Sequence, residues 1–143
     1  MGKTLANLIR LHKYRVDEKR RVLGVLYGEL HDLEQKLKDL FAQLVEEQRI
    51  ASEAPDQALF AYGRFHQRAM LIRDELTEAI QAKEEEVEMA REEVNEAFQE
   101  LKVYEEAEKN RLKREEDERN RKENIEMDEI AMNLYRREHK DKY

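Results

Sequence analysis

Leucine recurs at alternating spacings of three and four through the first third of this chain, and this pattern constrains the fold more than any other feature. The run consists of Leu23, Leu26, Leu30, Leu33, Leu37, Leu40 and Leu44. Residues three and four apart share one face of an α-helix, so the run predicts a long helix with a narrow apolar seam. Such a seam has to be covered by another helix.

The composition favours long helices over a globular domain. Charged residues make up 43% of the 143 residues and aromatic residues 7%, with a single proline and no cysteine. These proportions are typical of coiled coils, and no alternation of apolar and polar residues indicates a strand. We therefore predict an all-α fold without disulfides.

The sequence shows no motif for catalysis or for metal binding. It has no glycine-rich phosphate loop and no cysteine nucleophile. Its histidines have no second ligand at a metal-binding spacing: His12, His31, His66 and His139. The net charge of −7, with basic residues alternating with acidic ones, argues against nucleic-acid binding. We predict no enzyme activity, no cofactor, no metal and no nucleic-acid partner.

The apolar runs of the chain are short. None approaches the roughly 20 residues that span a bilayer, and the first residues lack the apolar core of a signal peptide. We expect a cytoplasmic protein with at most peripheral membrane association. The first 24 residues are locally basic, with seven Lys or Arg against Asp17 and Glu18. This basic patch suits an acidic protein surface or, as an alternative, anionic lipid.

A single strong break separates two helical stripes. It lies at Ser52–Asp56, where Ser52 is a predicted N-cap of the second helix and Pro55 suits its first turn. The second stripe consists of Ala58, Tyr62, Phe65, Ala69, Ile72, Leu76, Ile80, Lys83, Val87, Ala90, Val94, Ala97, Leu101 and Tyr104. Two successive steps of four that end at Ile80 predict a stutter, which locally relaxes a supercoil.

The two stripes match when they are laid antiparallel. The predicted pairs are Leu40 with Ala69, Leu37 with Ile72, Leu33 with Leu76, Leu23 with Val87, Val16 with Val94, Ile9 with Leu101 and Leu5 with Tyr104. The two residues of every pair lie nearly equally far along the sequence from the break, one before it and one after it. The spacing within each stripe does not by itself require this symmetry. We predict a long antiparallel two-helix coiled-coil hairpin with an extended C-terminal helix, a single rod over residues 1–143. Its expected parts are helix 1 at about 4–51, a turn at about 52–56 and helix 2 at about 57–138.

The charges agree with the same register. Lys19, Arg20 and Arg21 lie opposite an acidic stretch that runs from Glu84 to Glu93. Flanking charges of this kind select the partner helix and its orientation. The alternative is that the basic and the acidic run are two separate solvent-exposed faces that do not pair. Within the seam, His12 is predicted to form a polar layer.

The C-terminal part of the second helix has no partner in the hairpin. Mixed charges fill the stretch from Glu106 to Glu123, and pairs four residues apart favour a helix there, with disorder as the alternative. An apolar stripe then follows, with Tyr135 beside it. Its members are Met127, Ile130, Ala131 and Leu134. Because nothing in the chain covers this stripe, it predicts a partner, with a frayed amphipathic end as the alternative.

Three segments resemble the FliJ family of the flagellar type III export apparatus. They are Val16-Asp17 followed by Leu23-Gly24, Tyr62 and Phe65 just after the break, and Met127-Asp128-Glu129-Ile130-Ala131 near the C-terminus. Their order and spacing extend the resemblance over nearly the whole chain. The C-terminal segment is the most specific of the three. The other two are less specific, because coiled coils have similar sequences.

The resemblance implies a non-enzymatic stalk similar to the central stalk of rotary ATPases. FliJ-like proteins bind the hexameric export ATPase, contact the cytoplasmic domain of the export gate and escort export chaperones. The expected location is the cytoplasm, peripheral to the inner membrane at the export apparatus. Two alternatives stay open: a generic coiled-coil scaffold or tether, and the equivalent stalk of a non-flagellar injectisome.

The resemblance also assigns expected contacts. Those expected to bind the ATPase ring are Met127, Asp128, Glu129, Ile130, Ala131 and Leu134, with electrostatic steering by Arg136 and Arg137. Those expected to contact the export gate near the loop are Phe60, Tyr62 and Phe65. Aromatic residues are enriched at binding hot spots. For Tyr62 and Phe65 the alternative is packing in the seam against Leu44 and Val45.

Overall fold

Two long helices contain nearly all of the chain. The computed structural model describes residues 2–53 and 56–141, and these form α1 (Gly2–Ser52) and α2 (Asp56–Asp141), of 51 and 86 residues. The described residues contain no strand. The two helices pack against each other, so the prediction of an all-α helical hairpin is confirmed.

The end of α1 differs from the prediction. Ser52 is the last residue of α1, and its hydroxyl donates to the carbonyl oxygen of Arg49 at 2.7 Å. The prediction that Ser52 is the N-cap of α2 is therefore wrong, because its side chain bonds back into the preceding turn. The backbone N–H of Glu53 also donates to the carbonyl of Ile50, at 3.3 Å. Pro55, predicted in the first turn of the second helix, lies outside the described residues.

The chain divides into two compact units, and each contains a part of both helices. Unit 1 consists of Met1–His12 and Gln99–Tyr143, and unit 2 consists of Lys13–Phe98. Each unit has a seam between its own segments of α1 and α2. The prediction that the whole chain forms a single rod stays a prediction.

The leucine seam of unit 2 lies on the packed side of α1. Leu40, Leu44 and Ala69 form a buried cluster, in which Ala69 is 2% exposed. Three partly buried side chains of α2 pack against this cluster: Phe65, Met70 and Leu76. Leu40 and Ala69 thus belong to one cluster, as the antiparallel register predicts.

Two ion pairs across the helices of unit 2 show the same register. Lys19 donates from Nζ to Oε2 of Glu93 at 3.0 Å. A second hydrogen bond runs from Nζ of Lys83 to Oε2 of Glu29 at 2.7 Å. Glu29 lies ten residues after Lys19 on α1, and Lys83 lies ten residues before Glu93 on α2. Equal steps in opposite directions mean that the helices run antiparallel without a slip between these two points.

The other two basic residues beside Lys19 have different partners. Arg20 lies over the ring of Phe98, with its guanidinium carbon 5.9 Å from the ring centroid. Arg21 pairs with Glu18 of its own helix at 3.3 Å. The predicted cross-helix pairing with the acidic stretch is therefore confirmed for Lys19, whereas Arg20 makes a cation–π contact across the helices instead.

The stutter in α2 occurs about two turns earlier than predicted. Ile72, predicted to lie in the seam, is 46% exposed, and the next residue, Arg73, is half-buried in its place. In the structure, the two successive four-residue steps of the stutter run from Phe65 to Ala69 and from Ala69 to Arg73. Arg73 directs its guanidinium to Asp74 at 2.9 Å. An arginine can occupy a seam position in this way because its aliphatic stem packs while its charged end reaches solvent.

Lys83 forms a polar layer in the seam of unit 2. Its side chain is 21% exposed, and Nζ lies 2.7 Å from Glu29 and 2.8 Å from Glu86. The hydrogen bonds to Glu29 and to Glu86 raise the pKa of Lys83 above its usual value. The amine therefore stays charged at neutral pH, with a carboxylate from each helix beside it.

His12 forms the predicted polar layer in unit 1. It is 6% exposed, and its ring stacks on that of Tyr104 at a centroid distance of 4.5 Å. The buried Nδ1 has no hydrogen-bond partner, since the nearest carboxylate oxygen, on Glu100, is 3.6 Å away. Tyr104 was expected to meet Leu5, and its contact with His12 is a feature that the apolar period does not predict.

We expect Leu40→Ala to lower the free energy of unfolding by roughly 2–4 kcal/mol, because it opens a cavity in the buried cluster of unit 2. Urea denaturation followed by circular dichroism measures this change. Val45→Ala is the matched control, since Val45 is 69% exposed and its truncation should cost within about 0.5 kcal/mol. Equal effects of the two variants would contradict the seam assignment.

We expect His12→Leu to leave stability unchanged or to raise it by up to about 2 kcal/mol, because it removes an unpaired buried ring nitrogen. The measurement is again the midpoint of urea unfolding. His31→Leu, at an exposed position of the same helix, corrects for the general effect of leucine on α1. A large loss of stability in His12→Leu would mean that the contacts with Tyr104 and Glu100 outweigh the unpaired nitrogen.

Candidate partner-binding site

The C-terminal stripe lies on one exposed face of α2. Its residues are spaced by three, four and seven, so a helix brings them to one side. Met127 is 68% exposed, Ile130 57% and Leu134 55%, and Ala131 is exposed as well. Nothing in the described chain covers these side chains, and an exposed apolar patch of this kind makes the segment a candidate binding surface.

A second apolar pair lies on the other side of the same segment. Ile125 is 46% exposed and Met132 is 56% exposed. At about 100° per residue, both lie roughly opposite the stripe of Met127, Ile130 and Leu134. The predicted stripe does not include this pair, although its seven-residue spacing is visible in the sequence. This part of α2 therefore exposes apolar side chains on two faces.

Polar and basic residues surround the stripe. Asp128 and Glu129 are exposed, as are Arg136 and Arg137. Tyr135 stacks obliquely on His139 at a centroid distance of 3.8 Å. The structure thus places the residues predicted to bind the ATPase together on one solvent-exposed segment, with the two arginines one turn further along.

The second predicted surface lies near the start of α2, in unit 2. Phe60 is 69% exposed, and the guanidinium carbon of Arg64 lies 5.0 Å from the centroid of its ring. An exposed aromatic ring beside a cation is a suitable contact for another protein, because both residue types are enriched at binding hot spots. Phe60 is therefore the most accessible of the three aromatic residues predicted here.

Tyr62 and Phe65 have a different environment from Phe60. Both are half-buried, and Phe65 packs against the cluster that contains Leu44. Val45, the other residue against which they were expected to pack, is 69% exposed and lies outside this cluster. Both aromatic residues also line an open apolar groove of about 220 Å³ between the helices. The remaining lining residues are Glu47, Ile50, Ala51, Ala58 and Ala61.

Two further findings concern the part of the chain that the structure describes. No group of three or more His, Asp or Glu side chains in it is placed to hold a metal ion. Neither helix has a stretch there that is long and apolar enough to cross a membrane.

Comparison with known families now adds an independent observation. The family model described as flagellar FliJ protein matches residues 1–140. The chain belongs to the FliJ family. No curated protein and no solved structure gives a significant match. The resemblance that three short segments suggested is therefore confirmed over nearly the whole chain.

Membership of the FliJ family defines the general role of the chain. FliJ proteins are non-enzymatic components of flagellar protein export. This protein is therefore related to flagellar export, and it interacts with components of the export apparatus. The family match contains both exposed surfaces described above, the C-terminal stripe and the aromatic residues near the start of α2.

We expect Phe60→Ala and Phe65→Ala to affect the stability of this FliJ-family chain differently. Phe65→Ala should lower the free energy of unfolding by about 2 kcal/mol, since it removes a half-buried ring from the cluster. Phe60→Ala should change it by no more than about 0.5 kcal/mol, because its ring is mostly exposed. Urea denaturation compares the two variants. A greater loss in Phe60→Ala would mean that Phe60 belongs to the packed seam.

Proposed function

We propose that this FliJ-family chain is a stalk of the flagellar type III export apparatus. In this proposal it binds the hexameric export ATPase, couples it to the cytoplasmic domain of the export gate, and escorts export chaperones. It acts in the cytoplasm at the inner membrane, as a peripheral component. The observation that carries the proposal is the uncovered apolar stripe in a segment matched by the family model.

The exposed surface of the stripe supports contact with the ATPase. Four apolar side chains aligned on one face provide the type of anchor that a helix uses in a groove, at spacings of three, four and seven. The pair formed by Ile125 and Met132 extends the apolar surface to the other side of the helix. A helix that is apolar on two sides suits a partner that encloses it, as a ring does.

Charge supports the same assignment. Arg136 and Arg137 follow the stripe, and the first 24 residues carry seven Lys or Arg against two acidic residues. Basic residues near an apolar anchor accelerate association with an acidic surface. An acidic lining of the ATPase ring would therefore complement the basic N-terminal stretch and the two arginines that follow the stripe.

The aromatic surface near the start of α2 supports contact with the export gate. Phe60 and Arg64 provide an exposed aromatic–cation pair, and the neighbouring groove provides an apolar recess. The two proposed surfaces belong to different segments of α2. No residue is shared between the two proposed surfaces.

In this proposal the chain stimulates ATP hydrolysis by the export ATPase. We expect Ile130→Asp or Leu134→Asp to abolish this stimulation, because each substitution places a charge in the apolar contact. The melting temperature should change by no more than about 2 °C, since both residues lie outside the seam. Steady-state ATP hydrolysis by the hexamer, with and without the chain, measures the first effect, and circular dichroism measures the second.

Asn133→Asp is the matched control for this experiment. It adds the same charge at an exposed position between the two stripe residues but outside the stripe, so stimulation should be retained. Loss of stability with intact ATPase stimulation would place the stripe in the fold and contradict the proposed contact. Equal loss of stimulation in the control would show that any added negative charge interferes.

A further inference from the structure

The last part of α2 is helical without any packing partner in the chain. The seam of unit 1 ends at Arg111, whose side chain is 27% exposed. From Leu112 to Lys140, every side chain is exposed, although the helix continues to Asp141. A helix that is polar on all sides needs support from pairs of its own side chains, because it buries no apolar face.

Ion pairs within α2 provide this support. Arg111 bridges two carboxylates at 2.7 Å each, one turn before and one turn after it, on Glu108 and Glu115. Further along, Arg121 pairs with Glu118 at 2.8 Å. The hydrogen bond from Arg121 lowers the pKa of Glu118 below its usual value. Pairs at these spacings stabilise the helical form of isolated peptides.

The sequence offers further pairs of this kind, of which the described structure brings one, Arg111 and Glu115, into contact. Opposite charges recur four residues apart in these pairs: Glu105 and Lys109, Arg111 and Glu115, Lys113 and Asp117, Arg114 and Glu118, Glu115 and Arg119, Asp117 and Arg121, Glu118 and Lys122, Arg119 and Glu123. One like-charged pair, Lys109 and Lys113, opposes them over the same stretch. Each favourable pair shifts the helix–coil equilibrium by about twofold at most, so several together are required.

We propose that residues 112–124 form a self-supporting helix, the charged arm, whose stiffness comes from its own ion pairs and which links the C-terminal stripe mechanically to the seam of unit 1. The mechanical part of this proposal rests on the proposed function. If the stripe binds the ATPase, a stiff arm transmits its movements to the paired helices, whereas a flexible arm only tethers the two. Binding then depends on the stripe, and coupling depends on the arm.

Hydrogen exchange in the full-length chain tests whether the arm supports itself. At low salt, amides of residues 112–124 should exchange at least about tenfold more slowly than in an unstructured chain. At about 1 M NaCl this protection should fall severalfold, because salt screens exposed ion pairs. Exchange at the unstructured rate at low salt would overturn the proposal. Protection that salt does not change would also overturn it, by showing that something other than ion pairs holds the helix.

Charge reversal tests the same point without a change of salt. Glu115→Lys combined with Glu118→Lys turns favourable pairs into repulsive ones and should reduce the protection of the arm by about tenfold. The control combines Glu84→Lys with Glu85→Lys, which makes the same change in net charge at exposed positions of α2 within unit 2. The control should leave the arm protected. Equal protection in both double variants would contradict the role of the ion pairs.

Two glycines in the arm test its mechanical role. Glu116→Gly with Asn120→Gly should leave the affinity for the ATPase within about twofold, because the stripe is unchanged, but should reduce stimulation by about tenfold, because glycine loosens a helix. The matched control carries alanine at the same two positions and should retain stimulation. Full stimulation by the glycine variant would overturn the mechanical part. If the unaltered chain does not bind the ATPase, the proposed function fails, while hydrogen exchange still decides whether the arm supports itself.

Discussion

Packing of apolar side chains along the narrow seam between α1 and α2 is the interaction on which the paired helices depend. The buried residues of α2 are mostly small: Ala69, Val87, Ala90, Ala97 and Leu101. Small side chains let the leucines of α1 approach the partner backbone closely. A seam between two helices is one layer thick, however, and no side chain in the described part of the chain is completely shielded from solvent. Its stability therefore has to accumulate over many turns, which explains why the helices are long.

A polar layer interrupts the seam within each unit. The two layers differ in how completely their polar atoms are hydrogen-bonded. Lys83 in unit 2 has two carboxylates within 2.8 Å, one from each helix. His12 in unit 1 has an aromatic neighbour but leaves Nδ1 unpaired. Polar groups in a seam cost stability compared with apolar ones, and they are best known for specifying register and partner. The lysine layer is well suited to that role because its amine matches Glu29 of the opposite helix.

The seam leaves part of the apolar surface of this FliJ-family chain uncovered. A two-helix seam uses one face of each helix, so the outer faces and any length beyond the shorter helix remain available for partners. Here the excess length belongs to α2, which continues as the charged arm and ends with the apolar stripe. The apolar stripe therefore lies outside the seam, on a part of α2 that nothing in the described chain covers.

The candidate site could be located from the sequence but not fully described by it. The spacing of Met127, Ile130 and Leu134, with no complementary stripe elsewhere, identified an uncovered face, and the structure places all three in solvent. Ile125 and Met132 are not part of this predicted stripe, because the spacing that marks one helical face does not include residues of the opposite face. Near the start of α2, the sequence grouped three aromatic residues. The structure separates exposed Phe60 from half-buried Tyr62 and Phe65.

The sequence by itself determined the two helices, the leucine seam and the antiparallel pairing of Leu40 with Ala69. These features depend on local periodicity, because three- and four-residue steps fix which side chains share a helical face. Only the tertiary structure decided that Arg73 replaces Ile72 in the seam and that Tyr104 stacks on His12. Such details depend on how α2 is rotated against α1 once both are packed. That rotation is a property of the two helices together, and the period of either stripe alone does not contain it.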